Sequence, residues 1–259
     1  MIELNRIHQL QQLKILCIGD YCSDIYQYGS VPRMSSEAPV PIFIPKRREE
    51  LPGMAANVSK NLQNLGFSVV EFFGNKSIKT RYIDEKTNQH LLRIDEDVMS
   101  SPLSYDKLPL KKHFDAIVIS DYNKGFVSYE LIDEIKSKYG GPIFMDTKKN
   151  ELKNFNGIFI KINEQEYNNL KSRNDSLIVT LGDKGAMYKN DNDKKYYPTK
   201  KVKVVDVTGA GDTFLASFVY DFMKNKDIDK AIHFANKASM VTVQNIGVYA
   251  PTLEEIKCV

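Results

Sequence analysis

The chain has 259 residues, 42% of them hydrophobic and 27% charged, with a formal net charge of +3. That length and balance suit one sizeable α/β domain with its own buried core, and they exclude a disordered or fibrous chain. No run reaches the roughly 18 apolar residues of a membrane span, residues 1–12 are polar without a signal-peptide apolar segment, and the basic excess is spread out, so neither a membrane nor a nucleic-acid partner is expected.

Lys14–Gly19 is predicted to be the first buried strand, and it contains Cys17. The three cysteines (Cys17, Cys22 and Cys258) lack metal-ligand spacing, and the four histidines are scattered. A reduced, cytoplasmic protein is the expectation. Ile25–Pro45 is rich in Pro, Tyr and Ser, and Arg81–Asp95 alternates without helical spacing. Together they are expected to make a small antiparallel flap at one edge of the main domain. Lys46-Arg47-Arg48, followed at once by Glu49-Glu50, reads as a solvated turn. Met54–Leu65 is predicted helical, with Val58, Leu62 and Leu65 on one face and Gly66 as the stop. Phe114–Ser120 is a second buried strand and Ser128–Tyr139 a helix turned inward by Leu131, Ile132 and Ile135. Pro142–Asp146, Gly157–Lys161 and Ser176–Leu181 follow as short strands. A hairpin pairs Gly185–Lys189 with Lys194–Pro198 around residues 190–192. Lys201–Val207, in which Lys and Val alternate, reads as a half-covered strand. Strands alternating with helices argue for a mostly parallel sheet covered on both faces.

The most informative segment is Asp206-Val207-Thr208-Gly209-Ala210-Gly211-Asp212-Thr213, entered from a strand and left by an apolar helix carrying Phe214, Leu215, Phe218 and Phe222. Glycines at 209 and 211 permit unusual backbone angles. The amides of Gly209, Ala210 and Gly211 can then converge at a helix N-terminus, which suits a phosphate or a developing oxyanion. Asp212 at the same point can take a proton from an incoming hydroxyl; it can equally cap its helix. The segment is not a Walker-type loop, because no Gly-Lys-Ser/Thr follows. It lies too late, and lacks the third glycine, for a dinucleotide fingerprint.

Val207–Phe214 resembles the C-terminal hallmark of PfkB-type carbohydrate kinases, and other segments resemble that family in the right order over nearly the whole chain. Gly19-Asp20 and Asp24 look like its strand-end acids for sugar hydroxyls, and Gly53-Met54-Ala55-Ala56-Asn57 like its sugar-binding turn. Asn163-Glu164-Gln165-Glu166 is similar to its Asn-x-x-Glu element, Thr180–Gly185 to its nucleotide turn, and Phe234–Ala238 to the helix beside the adenine. Arg33–Pro41, Gln89–Asp95 and Ser120–Gly125 resemble the heptose 7-phosphate kinases, which act in ADP-heptose synthesis.

The resemblance implies a ribokinase-like three-layer sandwich in a single domain over 1–259, with a lid from about 25–50 and 80–97. It implies phosphorylation of the anomeric hydroxyl of a heptose 7-phosphate by ATP, with Asp212 as general base and the Gly209–Gly211 amides as anion hole. Asp20, Asp24, Gly53 and Asn57 would hold the sugar. Arg33, Arg93 and Lys148 would meet its phosphate, with Arg81 and Lys124 as further candidates. Asn163, Glu166, Thr180, Gly182, Gly185 and Asn236 would line the nucleotide. Mg2+ would be reached from Glu166 through water, although Asn163 and Glu166 also read as a helix capping box. A monovalent cation, K+, binds in some relatives, and Asp206 and Thr208 stand at that place. A homodimer through the flap is the implied assembly.

Three departures matter. Met54 replaces the second glycine of the sugar turn. Asp146-Thr147-Lys148-Lys149 replaces an Asp-Pro-Lys-Gly. The stretches at 75–80 and 168–175 are short: the resemblance implies a helix and strand missing from the first and a reduced helix in the second. Two other readings therefore stand beside the first: a PfkB-type kinase for another sugar phosphate or nucleoside, and a catalytically weakened sugar- or nucleotide-binding relative.

Overall fold

The first strand does not stop at Gly19. In the computed structural model, which describes residues 13–110, 112–174, 176–190 and 193–259, strand β1 runs unbroken over Lys14–Met34. Its first third is buried on both faces, as a run of Ile, Leu and Cys requires, and its last third projects into the flap. Strand β2 (Pro41–Met54) returns antiparallel to β1 and delivers the chain to helix α1 (Ala55–Asn64). Strand β3 (Ser68–Asp84) pairs parallel with β1 from Lys14↔Ser68 to Gly29↔Asp84, with a register shift between Gly19 and Tyr21. The short stretch at 75–80 is thus continuous strand: a core strand and a flap strand are fused. Strand β4 (Gln89–Glu96) closes the flap antiparallel to β3. The flap order is β2-β1-β3-β4, with antiparallel outer pairs, as expected, around a parallel central pair.

Strands β5 (Ala116–Asp121), β6 (Ile143–Thr147), β7 (Phe159–Asn163) and β8 (Ser176–Thr180) continue the parallel sheet. Strands β9 (Ala186–Asn190) and β10 (Asp193–Tyr197) form the expected hairpin at its far edge. The path across the sheet is β10-β9-β8-β7-β6-β5-β1-β3-β4. Helix α2 (Tyr129–Lys138) precedes β6, short α3 (Glu164–Asn168) follows β7, and α4 (Ala210–Asn225), α5 (Ile228–Thr242) and α6 (Leu253–Lys257) end the chain. Alternate residues of β1 face opposite layers. Ile15 and Cys17 pack with α1, α4 and α5, while Leu16 and Ile18 pack with α2 and the segments around Leu108 and Phe155. This is the three-layer arrangement expected.

Two expectations fail. Residues 201–207 form no strand; the amides of Val205 and Asp206 donate instead to the Val243 carbonyl at the end of α5. Lys46-Arg47-Arg48 is not a turn but exposed strand within β2, where Arg47 stacks on the Tyr28 ring and pairs with Glu49 and Glu85. Residues 1–12, 111, 175 and 191–192 lie outside the described residues.

Candidate active site

The parallel strands end in a row of polar residues, where open α/β sheets place their ligands. β1 supplies Asp20, β5 Asp121, β6 Asp146, β7 Lys161 and Asn163, and β8 Thr180. Neighbouring strands hold Asp146 beside Lys161 and Asn163 beside Thr180 in register. Above this row stands the start of α4. Gly209 occupies its N-cap position at φ +77, a left-handed conformation that favours glycine. A Cβ there would come 2.8 Å from Asn57 Nδ2, and one on Gly211 would come 2.8 Å from Lys161 Nζ. The glycines therefore let the turn sit directly on these two donors.

Asp212, in the first turn of α4, is buried. Asn57 Nδ2 donates to its Oδ2 at 2.8 Å, and the Tyr122 hydroxyl donates to its Oδ1 at 3.0 Å. Burial pushes its carboxyl up to about 6, with Asp146 adding to the rise, while Asn57, Lys161 and Tyr122 act against it. A carboxyl there is poised to exchange a proton near neutral pH. The Ala210 amide, expected in the anion hole, instead closes the turn onto the Val207 carbonyl at 3.3 Å. The amides of Gly211 and Asp212 have no carbonyl of their own helix to bond and remain as first-turn donors.

Two cavities meet at this turn and share Thr180, Gly182, Val207 and Gly211. The polar one, about 500 Å³, is bordered by Tyr122, Asp146, Lys148, Lys161, Asn163 and Asp212. The other, about 400 Å³, is more apolar, with Val202, Val204, Phe214, Met240 and Val243 in its wall and Gly185 and Asn236 at its edge. Its shape and lining suit a flat heterocycle. Val202, Val204 and Val207 form part of that wall, the last two of them exposed. Gly185 holds φ +91 against the Tyr197 carbonyl, and Asn236 Nδ2 donates to the same carbonyl at 2.9 Å, so both fix the floor of this cavity.

On the other side of Asp212, the acids expected to hold sugar behave differently from one another. Asp20 Oδ2 accepts from the amides of Tyr122 (2.8 Å) and Lys124 (3.1 Å), while Oδ1 is buried without a hydrogen-bond partner. Burial raises its carboxyl above the ordinary value. Asp24 is tied to buried Arg81, so Arg81 is a counter-ion within the fold rather than a free phosphate ligand. Gly53 packs directly against Asp24 and Cys22, where a Cβ would overlap both. Met54 keeps the backbone that a glycine would adopt, at φ +54, with its side chain buried.

The expected phosphate-binding residues are only partly brought together. Lys148 lines the polar cavity, pairs with Glu166 and lies 5.3 Å from the Tyr122 ring centre. Burial lowers its basicity, but Asp146 and Glu166 more than offset this and keep it charged. Lys124 pairs with Asp97 on the flap side. Arg93 is exposed and pairs with Asp95, yet it stands opposite Arg81 in the β3–β4 register. Arg33 is a correction: it is exposed near the far end of β1, thirteen residues beyond Asp20, roughly 40 Å of extended strand away. Sequence reasoning missed Lys161, a buried lysine 2.7 Å from Asp146 and beside Gly211, and Lys79, which faces Asp24 and Asp95. No local pattern marked Lys161, whose partner Asp146 is brought beside it by the register of the adjacent strand β6.

Asn163 and Glu166 form a reciprocal capping box on α3. Both Glu166 oxygens are engaged, one by the Asn163 amide and one by Lys148. Among the described residues no three His, Cys, Asp or Glu side chains cluster as metal ligands. This donor set fits a hydrated Mg2+ held largely by phosphate oxygens and reached from Glu166 through water, not a caged ion. Asp206 accepts from the Thr208 amide (2.9 Å) and hydroxyl (2.7 Å) and from the Gly247 amide (2.9 Å). Burial opposes its charge, but these bonds hold its carboxyl below the ordinary value. A half-buried carboxylate held below its ordinary value fits a monovalent cation and also braces the turn before Gly209.

Residues 147–256 match the family described as pfkB family carbohydrate kinase. The bifunctional protein HldE of Nitratiruptor sp. is 30% identical over 94% of this chain and 64% of its own length, and that of Helicobacter pylori is 31% identical over 94% and 65%. The chain thus spans just under two thirds of the curated relatives it matches. These alignments run over 298 and 306 positions, more than the 259 residues here, so gaps fall within this chain. Among solved structures, phosphofructokinase-2 of Escherichia coli superposes with a TM-score of 0.72 at 14% identity, covering 96% of this chain and 98% of that one. Ribokinase of Thermotoga maritima gives 0.68 at 19%, covering 95% and 98%. The fold is ribokinase-like. No helix among the described residues is long and apolar enough to cross a membrane.

Proposed function

We propose that this chain, a member of the pfkB carbohydrate kinase family through residues 147–256, transfers the γ-phosphoryl group of ATP to the anomeric hydroxyl of a heptose 7-phosphate. The observation that carries the reading is the position of Asp212, buried at a helix start on the polar cavity that adjoins the apolar one, and linked through Tyr122 to Asp20. ATP would lay its base against Val202, Val204 and Met240 and its phosphates along Thr180, Gly182 and Gly211. Asp20 Oδ1 and Asn57 would hold sugar hydroxyls. Asp212 would take the proton of the anomeric hydroxyl as its oxygen bonds to the γ-phosphorus and the bond to the β-phosphate oxygen breaks, releasing ADP. The Gly211 amide and Lys161 would meet charge on the transferred group. Bound Mg2+ would neutralise phosphate charge; K+ would do so near the Asp206 turn.

The heptose 7-phosphate assignment follows the heptose-type flap motifs and a basic strip. Lys79, Arg81 and Arg93 lie together beside Asp24 and Asp95, an excess of one positive charge where the far end of the sugar would lie. The alternative, another sugar phosphate or a nucleoside, draws on Met54 in the sugar turn. We also read 1–259 as one kinase domain with its lid at about 25–50 and 80–97, acting in a reducing cytoplasm that suits the buried free Cys17 and Cys22. Exposed Met34, Ile44, Leu92 and Ile94 on the flap strands favour a homodimer through the flap. An ADP-release assay with heptose 7-phosphates, other sugar phosphates and nucleosides tests the assignment. Turnover restricted to heptose 7-phosphates supports it, and preference for another acceptor class overturns it.

A further inference from the structure

We propose that Tyr122 is a positioning residue that sets Asp212 for proton abstraction and ties it to the acceptor-holding acid Asp20. This deepens the kinase reading and rests on it. The phenol is the second of two donors on Asp212: with Asn57 on Oδ2 and Tyr122 on Oδ1, the carboxylate plane is fixed from both sides. The amide of the same residue donates to Asp20 Oδ2, whose other oxygen is buried and unpartnered. One residue thus spaces the base from the group that would anchor the acceptor.

The loop that carries Tyr122 is built to hold still. Asp121 accepts from the Asn123 amide at 2.9 Å and the Thr147 hydroxyl at 2.6 Å, and pairs with Lys149 at 3.3 Å. Asn123 and Gly125 both hold left-handed φ values, +59 and +93, which turn the loop back toward Asp20. The Tyr122 ring lies under Lys148, itself paired with Glu166 on the nucleotide side. The charged and titratable groups facing Asp212 come from every neighbouring element: Cys17 and Cys22 on β1, Tyr122 after β5, Asp146 on β6, Lys148 after β6 and Lys161 on β7. Of these only Tyr122 donates a hydrogen bond to its carboxylate. Burial keeps the phenol itself protonated, well above its ordinary value, so it remains a donor throughout the working pH range.

Removing that donor while keeping the ring should make the carboxylate harder to form. A hydrogen bond to a charged group of ordinary strength corresponds to about one pH unit. The test is a carboxyl 13C titration of aspartate-labelled protein, with the Asp212 signal assigned by its loss in Asp212→Asn. The wild-type midpoint is expected near 6, moved up by about one unit in Tyr122→Phe and unmoved in Tyr167→Phe, which deletes another buried phenol. Equal midpoints in wild type and Tyr122→Phe, or the same move in Tyr167→Phe, overturn the proposal. Should Tyr122→Phe fail to fold, 3-fluorotyrosine at 122, a stronger donor, is expected to move the midpoint down, and an unmoved midpoint overturns it. The titration needs no turnover, so a wild-type protein inactive on every acceptor would sink the kinase reading and leave this one to be judged separately. Where turnover is present, the acid limb of kcat/KM should move with the carboxyl midpoint while KM for ATP stays constant.

Discussion

Replacing Asp212 with Asn should make the protein more stable at alkaline pH. Asp212 is buried, and its carboxyl is raised from an ordinary 3.8 to about 6. That difference corresponds to about 3 kcal/mol between the two protonation states. The folded-state value lies above the unfolded one. The contribution of this group to stability is therefore fully present below about pH 4, declines as pH rises and is lost above 6. Asparagine keeps the shape, can accept from Asn57 through its oxygen, and can donate to the Tyr122 oxygen, but carries no charge to bury. At pH 8 Asp212→Asn is expected to exceed wild type by up to about 3 kcal/mol, on the order of 6–12 °C in Tm for a chain of this size. At pH 4.5 the difference should have fallen to about 1 kcal/mol. Urea unfolding at several pH values between 4.5 and 8 measures this. A variant less stable than wild type at pH 8, or a difference independent of pH, would refute the idea that the fold tolerates a strained buried carboxylate for the sake of its chemistry.

Arg81→Met should leave Asp24 buried without its counter-ion and destabilise by about 3–5 kcal/mol, with Arg81→Met/Asp24→Asn recovering much of the loss in the same denaturation assay. Gly209→Ala adds a Cβ at φ +77, 2.8 Å from Asn57 Nδ2. It should cost about 1–3 kcal/mol and lower kcat more than it weakens nucleotide binding, as read by steady-state kinetics beside calorimetry. Leu92→Asp, on the exposed flap, should shift sedimentation from dimer to monomer with the melting temperature nearly unchanged.

The parallel strands were legible because β5, β6 and β8 are short apolar runs ended by polar residues, and local composition decides them. The turn at 206–213 was legible because Gly209 and Gly211 do something only glycine can do there: one holds a left-handed φ, and both admit a donor where a Cβ would stand. Residues 201–207 were misread because alternation of Lys and Val has the strand period, whereas pairing depends on whether a neighbour is free, which the sequence does not display. Val202, Val204 and Val207 instead line a cavity. Lys161 was missed because its partner Asp146 is brought beside it only by sheet register. Arg81 and Arg33 were grouped as like cations, yet one is sealed against Asp24 and the other stands at the flap's far end. The shortened stretch at 75–80 was noticed, but its consequence, the fusion of core and flap strands into β3, is a property of pairing with β1 along its full length.

The most direct test of the account is turnover of Asp212→Asn measured beside its affinity for ATP. Loss of the base should lower kcat by about 10²–10⁴-fold, while calorimetric binding of ATP with Mg2+ stays close to wild type, because the apolar cavity and the Gly211 amide are untouched. Turnover retained at the wild-type rate would contradict it.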